Sequence, residues 1–206
     1  IRRLLHPLKN SSSISGRTQR LKSVGSTDFP MGLPYRIFGK PMLGLIDSEK
    51  AHSLGISVLT NFGQNPVGRK VLDSLYHAPE LPTKVFGMDF QHPLGLAAGF
   101  DKKAQALSAW PSLGFSWIEY GGVTRFPQDG NPKPRMFRAN KENALVNRMG
   151  FNNPGSQAVR DSLLERKSKG QWPNNPIAAN IGRSKKVSNE DAPNDYASTL
   201  DILWDF

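Results

Sequence analysis

The chain has no cysteine among its 206 residues. That absence excludes disulfides, thiolate metal sites and cysteine nucleophiles, without naming a compartment. It also has no run of about 18 apolar residues, the length a helix needs to cross a bilayer, so no transmembrane helix is predicted. The stretch Met31–Ile46 is interrupted by Pro34, Arg36, Lys40 and Pro41, which leaves only surface association with a membrane. Acidic residues are missing altogether from residues 1–27, which carry Arg2, Arg3, Lys9, Arg17, Arg20 and Lys22. An Arg-rich, Ser-rich, acid-free head has the composition of a mitochondrial transit segment, or of a basic disordered tail. Setting those six aside reduces the net charge from +10 to +4, and the body shows no basic face with interleaved aromatics. No nucleic-acid partner is therefore expected; a basic, ribosome-associated reading would rest on charge alone.

What is present suits one domain with a real core: 37% hydrophobic residues, with 19 Gly and 16 Pro marking many loops. Asp47 or Ser48 starts a helix to about Asn61, with Ala51, Leu54, Val58 and Phe62 recurring at helical spacing as its inward face. A second helix is expected over Gly68–Tyr76, with Val71, Leu72 and Leu75 inward. Residues 82–91 suggest a short hairpin. Strands are expected at Leu94–Ala98, Trp117–Tyr120 and Ile177–Asn180, with two short ones at Arg135–Arg138 and Ala144–Asn147. Helices are expected over Asp101–Leu113, after an Asn153-Pro154 cap, and over Ala192–Trp204, where Tyr196, Leu200 and Leu203 share a face.

Two of these strands end in bare backbone, Gly99-Phe100-Asp101-Lys102 and Gly121-Gly122-Val123-Thr124. Glycine at a strand's carboxyl end lets a flat ring approach the main chain, which points to a cofactor face. The segments GLAAGFDK (95–102), GGVTRFPQDGNPKPRMFR (121–138), LVNRMGFNN (145–153) and ANIGRSK (179–185) fall in order at plausible spacing. Together they resemble class 2 dihydroorotate dehydrogenase, the membrane-associated, quinone-reducing type, from roughly Leu43 onward. The resemblance implies an α/β fold: a partial, truncated FMN-type (β/α)8 TIM barrel over residues 81–206. A quinone-tunnel-like helix pair over 41–80 and a basic targeting or extended segment over 1–40 would precede it.

By the same resemblance, Ala97, Ala98, Gly99, Lys102, Gly121 and Asn180 would bind FMN. Lys102 would also meet the substrate, together with Asn147, Arg148, Met149, Gly150 and Phe151. A cation beside a flavin and a substrate carboxylate stabilises negative charge developing there. His52 and Arg138 match the family's quinone site, and no metal site is expected. At Gly122 the family usually has Ser or Thr, so one hydroxyl contact to the flavin is missing.

A (β/α)8 barrel needs eight parallel strands, and three βα units are read here. The family's catalytic serine base, a second lysine and the phosphate-binding glycines belong to later units and have no match. The chain alone is therefore expected not to turn over dihydroorotate, with FMN bound only if the pocket is completed and otherwise absent. An open sheet edge calls for cover, and protein subunits are expected to provide it. The favoured expectation is a non-catalytic accessory subunit of a larger mitochondrial inner-membrane assembly. The alternative is the N-terminal half of an active, quinone-dependent dihydroorotate dehydrogenase of pyrimidine biosynthesis, oxidising dihydroorotate to orotate.

Overall fold

The structure, a computed structural model, describes residues 35–206. The basic head 1–27 and the first part of the segment 1–40 lie outside the described residues. A helical turn, Tyr35–Gly39, runs into the short α1 (Lys40–Gly44). The Asp47 carboxylate then accepts from the amides of Glu49 and Lys50, both at 3.0 Å, and so caps α2 (Ser48–Gln64). Asn65 caps α3 (Pro66–Tyr76) in the same way, with Pro66 in the first turn where it lacks only an orphan amide. Among the described residues no helix is long and apolar enough to cross a membrane.

The expected inward faces of this helix pair are corrected by the structure. Ser48, Ile56 and Gly63 are the buried residues of α2, while Leu54, Val58 and Phe62 are exposed. On α3 only Leu72 is buried, and Val71 and Leu75 are exposed. The side of α2 that carries Ser48, His52 and Ile56 meets the segment after the first long-range strand, because His52 bonds to the Phe100 carbonyl there. The same side carries Ile56 into the apolar cluster and sets Gly63 against Ala109, which turns the Leu54, Val58 and Phe62 stripe outward.

The expected hairpin forms from β1 (Thr83–Val85) and β2 (Met88–Phe90), antiparallel. β3 (Gly95–Leu96) is shorter than expected. After it, residues 101–110 form successive turns instead of the expected helix over Asp101–Leu113, and only Pro111–Leu113 is helical. Asp101 is the cause. Its carboxylate, 1% exposed, accepts from the amides of Gln105 and Ala106 at 2.8 Å and from the Trp110 indole N–H at 3.1 Å. Satisfying three donors from one residue folds the segment around the carboxylate, and Ala104 takes a positive φ of 54° to allow it.

β4 (Trp117–Val123) is followed by an antiparallel insertion, β5 (Met136–Ala139) and β6 (Ala144–Asn147). Then come α4 (Ser156–Ser168), β7 (Ile177–Ile181) and α5 (Ala192–Leu203). β3, β4 and β7 are parallel and adjacent in that order, the sequential neighbouring that a (β/α)8 barrel builds. Ile118 and Tyr120 of β4 are buried in one cluster with Leu107, Val159, Leu163 and Leu203, and the helix pair contributes Ile56 and Leu72 to it.

Two further corrections concern caps and faces. Asn153 does not cap α4 through its side chain; Gly155 holds the cap position. The Asn153 carboxamide oxygen instead accepts from the Thr124 amide and hydroxyl and from the Gly155 amide, tying α4 to the end of β4. On α5, Asp195, Thr199 and Leu203 are buried while Tyr196 and Leu200 are exposed. Asp195 is drawn inward because it accepts from the Ser184 amide at 2.7 Å and hydroxyl at 3.0 Å.

Candidate functional site

The carboxyl ends of β3, β4 and β7 converge. The Gly99 amide donates to the Gly121 carbonyl at 2.7 Å, closing the first strand end on the second. Gly121 pairs in register with Asn180, bringing the third strand alongside. Both glycines have positive φ, 102° and 110°, where any side chain would be strained. A Cβ on Gly99 would meet nothing, so bare backbone there faces open space. A Cβ on Gly121 would collide with the Asn180 carbonyl. The result is a shelf of main chain at three adjacent strand ends, packed tightly at Gly121 and open at Gly99.

Glu119 was not among the residues expected to matter, yet it joins all three strands. One carboxylate oxygen accepts from the Ala98 amide at 3.2 Å, the other from the Asn180 side-chain NH2 at 3.0 Å. The sequence did carry a signal: Glu119 is the one charged residue in the strand Trp117–Val123. Ala97 is exposed and Ala98 half-buried on the loop that this bond holds.

Lys102 stands next to this shelf, half-buried, its ammonium donating to the Asn152 carboxamide oxygen at 2.7 Å. Burial, and the positive Arg135 nearby, push its pKa below the ordinary lysine value, while Glu49 opposes the shift. Arg135 is itself pinned. Its guanidinium grips Glu49 on α2 with two bonds, 2.7 and 3.1 Å, and donates to the Asp129 and Asn131 carbonyls. The hydrogen bond from Arg135 holds the Glu49 carboxyl below its ordinary pKa against the opposing effect of burial. This ion pair fastens the insertion to the helix pair. Neither Asn152 nor the Glu49–Arg135 pair was anticipated, since both are long-range pairings with no local pattern.

The remaining expected residues divide. Phe151, with φ 55° and an exposed ring, lies near Gly122: a Cβ there would sit 3.9 Å from the Phe151 ring and 3.2 Å from the Asn180 carboxamide oxygen. Met149 and Gly150 are half-buried, and the Met149 carbonyl accepts from the Asn131 amide at 3.0 Å. Asn147 is exposed at the end of β6, and the Arg148 guanidinium donates away toward the Pro134 carbonyl at 3.1 Å. The structure thus brings Ala98, Gly99, Gly121, Asn180 and Phe151 together, with Lys102 close by. Asn147 and Arg148 lie along the insertion.

His52 contacts the Phe100 carbonyl through Nε2 at 2.8 Å, and its ring meets the Phe100 ring edge-on at 5.0 Å. A carbonyl only accepts, so Nε2 carries the proton. Arg138 donates to the carbonyls of Ile46 and Leu43, at 2.7 and 2.9 Å, just ahead of α2. The two therefore fasten α2 and its approach to the shelf and to the insertion.

The family model described as Dihydroorotate dehydrogenase matches residues 80–203, which include the shelf and Lys102. The chain belongs to the dihydroorotate dehydrogenase family. A dihydroorotate dehydrogenase (quinone) of Natronomonas pharaonis is 44% identical over 176 residues, covering 85% of this chain and 48% of the relative. One from Mycobacterium tuberculosis is 45% identical over 164 residues, 79% of this chain and 44% of the relative. The crystal structure of the Eimeria tenella DHODH in complex with ferulenol aligns with a TM-score of 0.63 at 34% identity, over 75% of this chain and 40% of that one. The chain thus spans about half the length of the curated relatives it matches, and its fold is the first part of the family's barrel.

Proposed function

We propose that this chain supplies the helix pair and the first three barrel units of an FMN-dependent dihydroorotate dehydrogenase (quinone), oxidising dihydroorotate to orotate in pyrimidine biosynthesis. The observation that carries the reading is the main-chain shelf at Gly99, Gly121 and Asn180 with the half-buried Lys102 beside it. The names of the relatives favour this over an accessory, non-catalytic role.

The shelf suits a flavin: the bare backbone of Gly99 faces open space where a ring could lie, and Asn180 offers a carboxamide at its edge. Bound there, FMN would take a hydride from the substrate and pass the electrons to a quinone. The chain's own residues hold and orient. Lys102 keeps one N–H on Asn152 and has two more donors for a ring oxygen and a substrate carboxylate. Its lowered pKa reflects a cation partly stripped of water, which strengthens its pull on an anion. Phe151, whose exposed ring lies near Gly122, would flank the substrate, with Asn147 contacting it from the insertion. The proton leaving the substrate would go to a base outside these units.

His52 and Arg138 are proposed as the quinone contacts. Support comes from the His52–Phe100 bond, which puts α2 one residue from Gly99, and from the apolar faces of α2 and α3 left outward at Leu54, Val58, Phe62, Val71 and Leu75. Such a face suits a lipophilic quinone and association with a membrane surface.

The test is the full-length protein. It should purify with FMN absorbance and reduce a quinone only when dihydroorotate is supplied; Lys102→Ala should lower kcat/KM for dihydroorotate by about a hundredfold or more. A native protein that holds no flavin, or forms no orotate, would overturn the reading.

A further inference from the structure

Glu119 occupies a place that the proposed reaction leaves unused. It sits mid-strand on β4, half-exposed, and both its oxygens are engaged by groups of the shelf: the Ala98 amide and the Asn180 side chain. A carboxylate offers acceptors only. The Asn180 carboxamide must therefore turn its NH2 toward Glu119, and its oxygen is left pointing away. That oxygen lies 3.2 Å from where a Cβ on Gly122 would stand, so it projects across the glycine pair of β4.

We propose that Glu119 is a positioning residue of the flavin shelf, locking the Asn180 carboxamide with its oxygen outward as an acceptor while holding the Ala98 loop in register. The inference rests on the flavin reading above and adds its orienting element. A free carboxamide presents donor or acceptor with nearly equal ease, so a site that needs one of them must bias the choice. Glu119 supplies that bias, and it selects for a ring that brings an N–H. The same carboxylate fixes the amide that precedes Gly99, so the loop and the side chain are set by one group. Gly122 belongs to the arrangement too. A Cβ at 3.2 Å would crowd the outward oxygen, so glycine at position 122 leaves this Asn180 conformation free.

The test measures FMN affinity of the flavin-stripped full-length protein by fluorescence titration, with thermal unfolding of the flavin-free forms in parallel. Glu119→Gln puts an NH2 where an acceptor stood; Asn180 flips to satisfy it and turns its own NH2 outward. FMN affinity is expected to fall about tenfold or more with the apoprotein Tm little changed. Combining Glu119→Gln with Asn180→Asp restores the pattern, since the new amide donates to the new carboxylate, whose other oxygen faces outward as an acceptor. Affinity should recover toward native. Asn180→Asp alone opposes two carboxylates and should lose FMN. Native affinity in Glu119→Gln, or a loss that the double variant does not recover, would overturn the proposal. Should Glu119→Gln fail to fold, Glu119→Asp reads the same geometry: its carboxylate is one methylene too short to span both partners, and native FMN affinity there would be equally fatal. If the native protein itself takes up no FMN, the functional reading fails, and that outcome is distinct from a native protein that binds while Glu119→Gln binds equally well.

Discussion

On one face of β4, Ile118 and Tyr120 are sealed with Leu107, Val159 and Leu163, at 1% exposure or less; on the other, Trp117 and Glu119 remain half-exposed. The buried face is filled by residues of this chain, apolar against apolar, and its role is cohesion. The half-exposed face carries the carboxylate of Glu119 beside Trp117, runs into Gly121, and holds the hydrogen bonds that define the shelf. A strand can therefore serve two masters because alternate side chains point opposite ways. Substitutions one residue apart should separate stability from ligand binding.

The sharpest way to break that contrast is Ile118→Ala. Truncating a fully buried isoleucine costs about 2–5 kcal/mol through lost burial and the cavity left behind. Urea unfolding of the full-length protein should show it, with FMN affinity of the folded fraction preserved. Glu119→Gln, the next residue, should give the converse. If Ile118→Ala weakened FMN more than it weakened the fold, the two faces would not be independent.

Asp101→Ala should rank next, at about 3 kcal/mol, because the Gln105 and Ala106 amides and the Trp110 indole would lose one shared acceptor in a buried setting. Asp101→Asn should recover part of the loss, since one carboxamide oxygen remains. A cost below about 1 kcal/mol for the alanine variant would mean the turns after β3 are held by something other than this carboxylate.

Arg135→Ala leaves Glu49, whose side chain is 15% exposed, with only the exposed Lys133 ammonium at 3.4 Å, and should cost about 1–2 kcal/mol in the same assay. Its pH signature has a definite sign. Glu49 has a lowered pKa in the folded state, so its contribution is present above the unfolded carboxyl value and is lost as pH falls through the folded one. The native protein should lose this increment on acidification, and Arg135→Ala, which keeps only the Lys133 contribution, should show a smaller loss. Parallel acid limbs for the two proteins would contradict the pairing.

Much of the fold was legible in the sequence because its signals were local. Asp47 announces the start of α2 and glycine marks the ends of β3 and β4, whereas α2 runs on to Gln64 and α3 begins at Pro66, two residues before the expected Gly68. What misled was periodicity where distant packing partners decide. Leu54, Val58 and Phe62 form the cleaner apolar stripe on α2, yet the other side packs, because Ile56 enters the core, Gly63 allows close approach to Ala109 and His52 reaches the Phe100 carbonyl. Asp195 rotates α5 in the same manner, through Ser184. The expected helix after Asp101 failed because one buried carboxylate can outbid helix propensity over ten residues. In the candidate site, Gly99, Gly121, Asn180 and Lys102 could be named from motifs, whereas Glu119, Asn152 and the Glu49–Arg135 pair act through contacts that only the folded chain makes.

The smallest effect is expected at Tyr120, on the sealed face. Its hydroxyl is buried and has no hydrogen-bond partner among the described residues, so it brings a desolvation cost without a return. Tyr120→Phe should change stability at neutral pH by no more than about 1 kcal/mol, and in the favourable direction. Burial raises the phenol pKa from 10.0 to about 12. Because the folded pKa lies above the unfolded one, the unfolded chain gives up its proton first, and stability falls as pH climbs between those two values. The native protein should therefore unfold more readily across that alkaline window than at pH 9, and Tyr120→Phe should remove this part of the loss. A variant as alkali-sensitive as the native protein would show that the phenol is not enclosed, and that the face sealed against Leu163 admits water.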